Sequence, residues 1–101
     1  ISNMVDRDAL SQVADFLLPT EGVEIVISYG VRMSKVILSV RSNNESLHIG
    51  KILSASFAKG SAGGHKALGG GQIPFEELNC ENAEEAMLSV TEILKSAFGG
   101  V

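Results

Sequence analysis

A glycine-rich stretch from Lys59 to Gly71 constrains the fold of this chain more than any other feature. His65 and Lys66 lie between its two glycine clusters. Glycine adopts positive φ angles at little cost and lets another backbone or a ligand approach closely. The pattern predicts a loop built for backbone contact that holds an anionic group, above all a phosphate. Six of the 11 glycines belong to it: Gly60, Gly63, Gly64, Gly69, Gly70 and Gly71.

Basic residues are concentrated before and within this stretch. The segment from Arg32 to Lys66 holds six basic residues and one acidic residue, Glu45, in a chain of net charge −4. The acidic total argues against a general nucleic-acid coat protein, which would be basic. The basic segment leaves two interpretations open, a face that attracts anions or scattered surface lysines.

Size and composition predict a single folded domain. The chain has 101 residues, of which 45% are hydrophobic, and its apolar runs are far too short to span a membrane. The single cysteine, Cys80, excludes an internal disulfide and, with no signal-peptide pattern, favours a cytoplasmic location. Because the first residue is Ile, we expect an excised domain, with residues 1–5 as a leader and residues 6–101 as the domain.

Hydrophobic periodicity predicts the element order α-β-β-α-β-α. The first helix is expected over residues 6–18, capped by Asp6 or Asp8 and ended by Pro19. The whole order predicts an α+β domain in which a small mixed β-sheet packs against about three helices.

Two β-rich runs, residues 23–29 and 35–42, predict an antiparallel hairpin. In the second run the period of two separates two faces, Ile37, Ser39 and Arg41 on one and Val36, Leu38 and Val40 on the other.

The later elements are a short helix at 47–58, a glycine-rich strand at 68–73 and a long helix between Asn82 and Gly99. Ser46 is the expected N-cap of the short helix, and Gly60 its expected C-cap. Asn82 and Glu85 have the spacing of a capping box.

No complete catalytic constellation is found in the sequence. His48 and His65 are not at ligand spacing to each other or to Cys80, and no nucleophile elbow is present. A P-loop is excluded because Gly70-Gly71 follow Gly69, where Lys and Ser or Thr are required. Catalysis by the chain alone is therefore not expected.

Anion binding is better supported. Backbone N–H groups of a glycine-rich turn can surround a phosphate, and His65 can donate a further hydrogen bond. Lys66 adds a positive charge, and Arg41, at the end of a strand, can make a bidentate contact. Glycine content alone also fits a flexible surface loop.

The order of three parts resembles the DHHA1 domain. These parts are Leu38-Ser-Val-Arg-Ser42, the short helix, and Gly63-Gly-His65 followed by Leu68-Gly-Gly70. The family pattern runs Ser-Leu-Arg-Ser, a helix, then Gly-Gly-Gly-Gly-His-x-x-Ala-Ala-Gly. Ser61 and Ala62 replace two of its glycines, and Leu68-Gly69 replaces Ala-Ala. The resemblance covers residues 23–98.

The resemblance implies a division of labour between two domains. DHHA1 is the C-terminal substrate-binding module of DHH-family phosphoesterases, which include nanoRNase/pAp-phosphatases, RecJ-like exonucleases and exopolyphosphatase-related proteins. An N-terminal DHH domain of the same polypeptide would carry two divalent metals, Mn or Mg. This chain itself would bind no cofactor. The implied substrate is a nucleoside phosphate or short oligonucleotide, held by Arg41, Gly63, Gly64 and His65, to which Lys66 is added for its positive charge.

Two alternatives belong to other classes. One is an assembly module, in which Met87, Val90 and Leu94 contact another chain and the parent protein forms a homodimer. The other is a nucleotide-sensing domain of a parent that has lost catalysis.

Overall fold

The computed structural model describes residues 7–99. Its three helices are α1 (Arg7–Leu17), α2 (Ile49–Ser56) and α3 (Ala83–Phe98), and a 3₁₀ turn spans Phe75–Leu78. Its four strands are β1 (Ile25–Arg32), β2 (Lys35–Ser42), β3 (Ala62–Gly64) and β4 (Leu68–Pro74). The predicted leader, residues 1–5, and the predicted cap Asp6 lie outside the described residues, as does the side chain of Asp8.

The strands form one sheet in the order β1-β2-β4-β3. The α+β class and the predicted order of helices and strands are confirmed, with a β3–β4 hairpin where one glycine-rich strand was expected. Every strand pair is antiparallel, so the sheet is not mixed. The sheet is antiparallel throughout because the chain leaves α2 as β3 and then turns back in a tight hairpin, so that β4 runs opposite to β3 and to β2.

A two-residue turn joins β1 to β2. Met33 and Ser34 have φ angles of 51° and 62°, and Arg32 pairs with Lys35 on either side of them. Two positive φ angles in a two-residue connection define a type I′ turn, whose twist matches that of the flanking strands. This turn lets β1 continue to Arg32, beyond the predicted end at Tyr29.

The two faces of β2 are those that its alternation predicts, and different helices cover them. Ser39 shares a hydrogen bond with Ser11 of α1 (Oγ–Oγ 3.1 Å), and on β1 the Ser28 hydroxyl donates to the Leu10 carbonyl of α1 at 2.8 Å. The opposite face joins α2 and α3 in the main core, which contains Val36, Leu38, Val40, Ile49, Leu53, Phe57, Ile73, Ala86, Val90, Leu94 and Phe98. The domain therefore has three layers, with the sheet in the middle.

Helix α2 begins later than predicted. His48, not Ser46, is the N-cap, and its Nδ1 accepts the Lys51 N–H at 3.2 Å. The Ser46 N–H instead donates to Asn44 Oδ1 at 2.9 Å, in an Asx turn that keeps the chain out of the helix. The helix ends at Ser56 with Phe57 as C-cap, so Gly60 lies in the following turn, with φ +84°.

Helix α3 starts at the predicted cap. Asn82 Oδ1 accepts the Glu85 N–H at 2.9 Å, which confirms half of the capping box. The Glu85 carboxylate accepts from the N–H of Glu81 at 3.2 Å, one residue earlier than a capping box requires. Within residues 7–99, no helix has the length and apolar character needed to cross a membrane.

Candidate functional site

The hairpin tip, residues 65–67, lies beside the end of strand β2. Leu68, the first residue of β4, pairs with Arg41, and the Ser42 N–H donates to the Ala67 carbonyl at 2.8 Å. Arg41, His65 and Lys66, all predicted site residues, are thus brought to one end of the sheet.

Gly63 and Gly64 lie in a strand and not in the loop where they were expected. Gly63 pairs with Gly70, and Gly64 pairs with Gly69. A three-residue strand of small residues carries no β-branched or aromatic side chain, so the usual sequence signal for a strand is missing. His65 and Lys66 follow this strand, and both are exposed.

The hairpin tip closes over the start of helix α2. The Ile49 N–H donates to the Lys66 carbonyl at 2.9 Å, and the Gly50 N–H donates to the His65 carbonyl at 2.8 Å. The next two N–H groups of the helix donate to His48, at its Nδ1 and its carbonyl. All four N–H groups of the first turn therefore have protein partners, and this helix terminus offers none to an anion.

The predicted nest of backbone N–H groups also has fewer free donors at the hairpin tip itself. The His65 N–H donates to the Leu68 carbonyl at 2.8 Å, which closes the hairpin. An anion at this place would therefore depend more on side chains than the glycine pattern predicts.

Gly50 is a residue of the site that the sequence analysis missed. A Cβ atom on Gly50 would lie 2.2 Å from the Gly64 carbonyl oxygen, a distance that no side chain tolerates. Gly64 itself has φ +149°, which side-chain-bearing residues rarely adopt. These two glycines let α2 touch β3 directly. An isolated glycine near the start of a predicted helix was the signal available for Gly50.

Arg41 is held by a partner on helix α1. Its Nε donates to Asp15 Oδ1 at 2.9 Å, and its Nη1 donates to the Val40 carbonyl at 3.0 Å. The Arg41 side chain is only 17% exposed, whereas that of Asp15 is 63% exposed. A guanidinium has five N–H donors, so several remain for a ligand. No sequence pattern indicates this role for Asp15, because its contact depends on how α1 crosses the sheet.

A polar depression of about 310 Å³ lies at the same end of the sheet. The Ser42 hydroxyl accepts the Asn44 N–H at 3.0 Å and so fixes the turn that forms one wall. Within residues 7–99 the structure shows no ion pair to Lys66, whose side chain supplies the positive charge. The lining residues are Ser42, Asn43, Asn44, Glu45, Lys66 and Ala67. This depression combines hydrogen-bond donors with one cation, Lys66, and one carboxylate, Glu45, and its size suits a small polar ligand.

Within the described part of the chain, no three His, Cys, Asp or Glu side chains are grouped so that they could hold a metal ion.

Comparison with known proteins gives two findings. The family model described as the DHHA1 domain matches residues 1–100. The chain is also 29% identical over 92 residues to an uncharacterized protein of Methanocaldococcus jannaschii, an alignment that covers 91% of this chain and 19% of that relative. The chain thus spans a small part of the relative's length.

Proposed function

The chain belongs to the DHHA1 domain family, as its motifs predict, and on this premise we propose that it binds the phosphate end of a substrate for a DHH-family phosphoesterase. The observation that carries the proposal is that Arg41, His65 and Lys66 lie at one end of the sheet, where Lys66 lines a polar depression. The substrate class is a nucleoside phosphate, a short oligonucleotide or a related phosphate ester.

Each proposed contact has its own chemistry. The Lys66 ammonium attracts the phosphate as a point charge, and the exposed His65 ring donates a hydrogen bond. The remaining N–H groups of Arg41 make charge-assisted hydrogen bonds, while Asp15 holds the Nε edge of the guanidinium in place. Gly63 and Gly64 contribute by letting the hairpin lie close to α2, which sets the position of His65.

Hydrolysis belongs to another part of the polypeptide in this proposal. DHHA1 domains occur with an N-terminal DHH domain. That domain, with Mn or Mg bound, would supply a metal-activated water. The parent protein is then a hydrolase of the cytoplasm, and this chain holds and orients the substrate.

Calorimetric titration tests the proposal. Adenosine 3′,5′-bisphosphate, or a short RNA, is titrated into the wild-type chain and into the variants His65→Ala and Lys66→Ala. We expect each variant to weaken binding by at least about tenfold, since a hydrogen bond to a charged group contributes about 1.5–3 kcal/mol.

The matched control is Lys59→Ala. Lys59 is exposed and lies near the other end of the hairpin, where the Gln72 N–H donates to the Ser61 carbonyl. Its removal changes the net charge as Lys66→Ala does and should leave binding intact. Equal affinity in the wild type and both site variants would contradict the assignment of His65 and Lys66 to the binding site. An equal loss of affinity in Lys59→Ala would mean that binding depends only on net charge.

One observation favours an interaction module as the second candidate function. Val13, Phe16 and Leu17 form one face of α1 and are 49%, 82% and 42% exposed. The contact face predicted on α3 is not available, because Val90 and Leu94 are buried in the core. An interaction module would bind a protein partner through α1, and Phe16→Ser would abolish that binding without changing the affinity for phosphate.

A further inference from the structure

Strand β1 forms one edge of the sheet and pairs only with β2 among the described strands. It is eight residues long, contains no proline and carries one charged residue, Arg32, at its end. A long, apolar and uninterrupted edge is a template for pairing with another strand.

The hydrogen-bond register shows which groups face the open edge. The Asn43 N–H donates to the Glu24 carbonyl at 2.7 Å, and residues of β1 and β2 pair in steady register from there to Arg32 and Lys35. Because bonded and non-bonded pairs alternate in an antiparallel ladder, even-numbered residues of β1 bond to β2. The outward N–H and C=O groups are those of Ile25, Ile27, Tyr29 and Val31.

Charge on this edge is arranged symmetrically. Glu24 and Arg32 are the only charged residues between positions 24 and 32, and each is four residues from Ser28. An antiparallel pairing of two β1 strands about Ser28 places Glu24 of each copy opposite Arg32 of the other.

The same register also pairs the backbone hydrogen-bonding groups of the two strands. It sets Ile27 opposite Tyr29 and Ile25 opposite Val31, so the residues with outward N–H and C=O groups meet one another. A register shifted by one residue would set outward groups against residues already bonded to β2.

Apolar surface continues along this edge on the α3 side. Two depressions of about 420 and 370 Å³ adjoin there and share Ile27 and Phe98 in their walls. In the paired arrangement the half-buried side chains of Ile27 and Tyr29 from both copies would lie on this face, which would extend the apolar surface across the junction.

From these observations we propose that β1 is a self-association surface. Two copies of the chain pair their β1 strands antiparallel about Ser28, which joins two four-stranded sheets into one sheet of eight strands with two Glu24–Arg32 ion pairs. The proposal does not rest on phosphate binding, because none of the residues with outward N–H and C=O groups, Ile25, Ile27, Tyr29 and Val31, lines the polar depression.

A charge exchange tests the register. Sedimentation velocity measures the dimer dissociation constant of the 101-residue chain and of the variants Glu24→Arg, Arg32→Glu and the double exchange. Each single variant turns both ion pairs into repulsions and should weaken the dimer by at least about tenfold. The double exchange restores opposite charges across the junction and should recover most of the affinity.

Glu21→Arg is the matched control, since Glu21 is an exposed turn residue and its replacement changes the net charge as Glu24→Arg does. It should leave the dimer unchanged. A wild-type chain that stays monomeric up to millimolar concentration overturns the proposal, and so does a double exchange that fails to recover the dimer.

Amide exchange of the wild-type chain gives a second measurement that needs no variant. The N–H groups of Ile25, Ile27, Tyr29 and Val31 should become protected as concentration rises, while those of Val26, Ser28 and Gly30 stay protected throughout. Protection of the first set that does not depend on concentration would show that the chain itself covers this edge, and would contradict self-association.

Discussion

The two hairpins of the sheet differ in what holds them together. The β1–β2 hairpin pairs two eight-residue strands rich in β-branched residues and closes with a two-residue turn. The β3–β4 hairpin pairs only three residues of β3 and owes its position to hydrogen bonds between its tip and helix α2. The first is stabilised by its own side chains and the second by backbone contacts that glycine permits.

This difference assigns the hairpins different parts in the domain. Side chains of the first hairpin fill the core, so changes there act on the whole fold. In the second hairpin the backbone is fixed against α2 while His65 and Lys66 remain exposed. An exposed, positively charged tip on a fixed backbone is the arrangement expected of a ligand contact.

The largest expected effect comes from Gly50→Ala, which tests whether the second hairpin depends on close backbone contact. The new methyl group would overlap the Gly64 carbonyl, so α2 and β3 must separate. We expect a loss of about 1–3 kcal/mol in the free energy of unfolding, measured by urea denaturation. Phosphate binding should weaken as well, because the hydrogen bond from Gly50 to His65 is disturbed.

Lys51→Ala is the control for that variant, since Lys51 is the next residue of α2 and is exposed. It should change the free energy of unfolding by less than about 0.5 kcal/mol. A Gly50→Ala variant as stable as this control would mean that the second hairpin does not need the contact.

A smaller effect is expected from Asp15→Asn, which tests whether Arg41 takes part in the site. Because Asp15 is 63% exposed, its ion pair with Arg41 should contribute less than about 1 kcal/mol to stability. Removing the carboxylate leaves the Arg41 charge uncompensated, so the affinity for a phosphate ligand should rise by up to about fivefold. Calorimetric titration measures that change. Unchanged affinity, in a protein where Lys66→Ala weakens binding, would remove Arg41 from the site.

Regular parts of the fold were predictable because they depend on local pattern. Alternation in β2 identified both of its faces, and the Asn82 cap fixed the start of α3. Strand β3 was not predictable in this way, since its pairing depends on space between backbones and not on side chains. The start of α2 was misplaced because Asn44 binds the Ser46 N–H and delays the helix.

The candidate site was predictable only in part. Family resemblance indicated Arg41 and His65, the charge of Lys66 indicated that residue, and the structure brings all three to one end of the sheet. Asp15 and Gly50 were not identified, because both act through contacts between elements distant in sequence. Tertiary contacts of this kind leave no periodic signal in a single sequence.

Chemical-shift mapping of the wild-type chain during titration with adenosine 3′,5′-bisphosphate shows whether the tip of the second hairpin binds phosphate. We expect saturable shifts at Ser42, Asn43, His65 and Lys66, with the β1–β2 turn at Met33 and Ser34 unaffected. Shifts confined to the β1–β2 turn or to the exposed face of α1, or no saturable shift at all, would contradict this prediction.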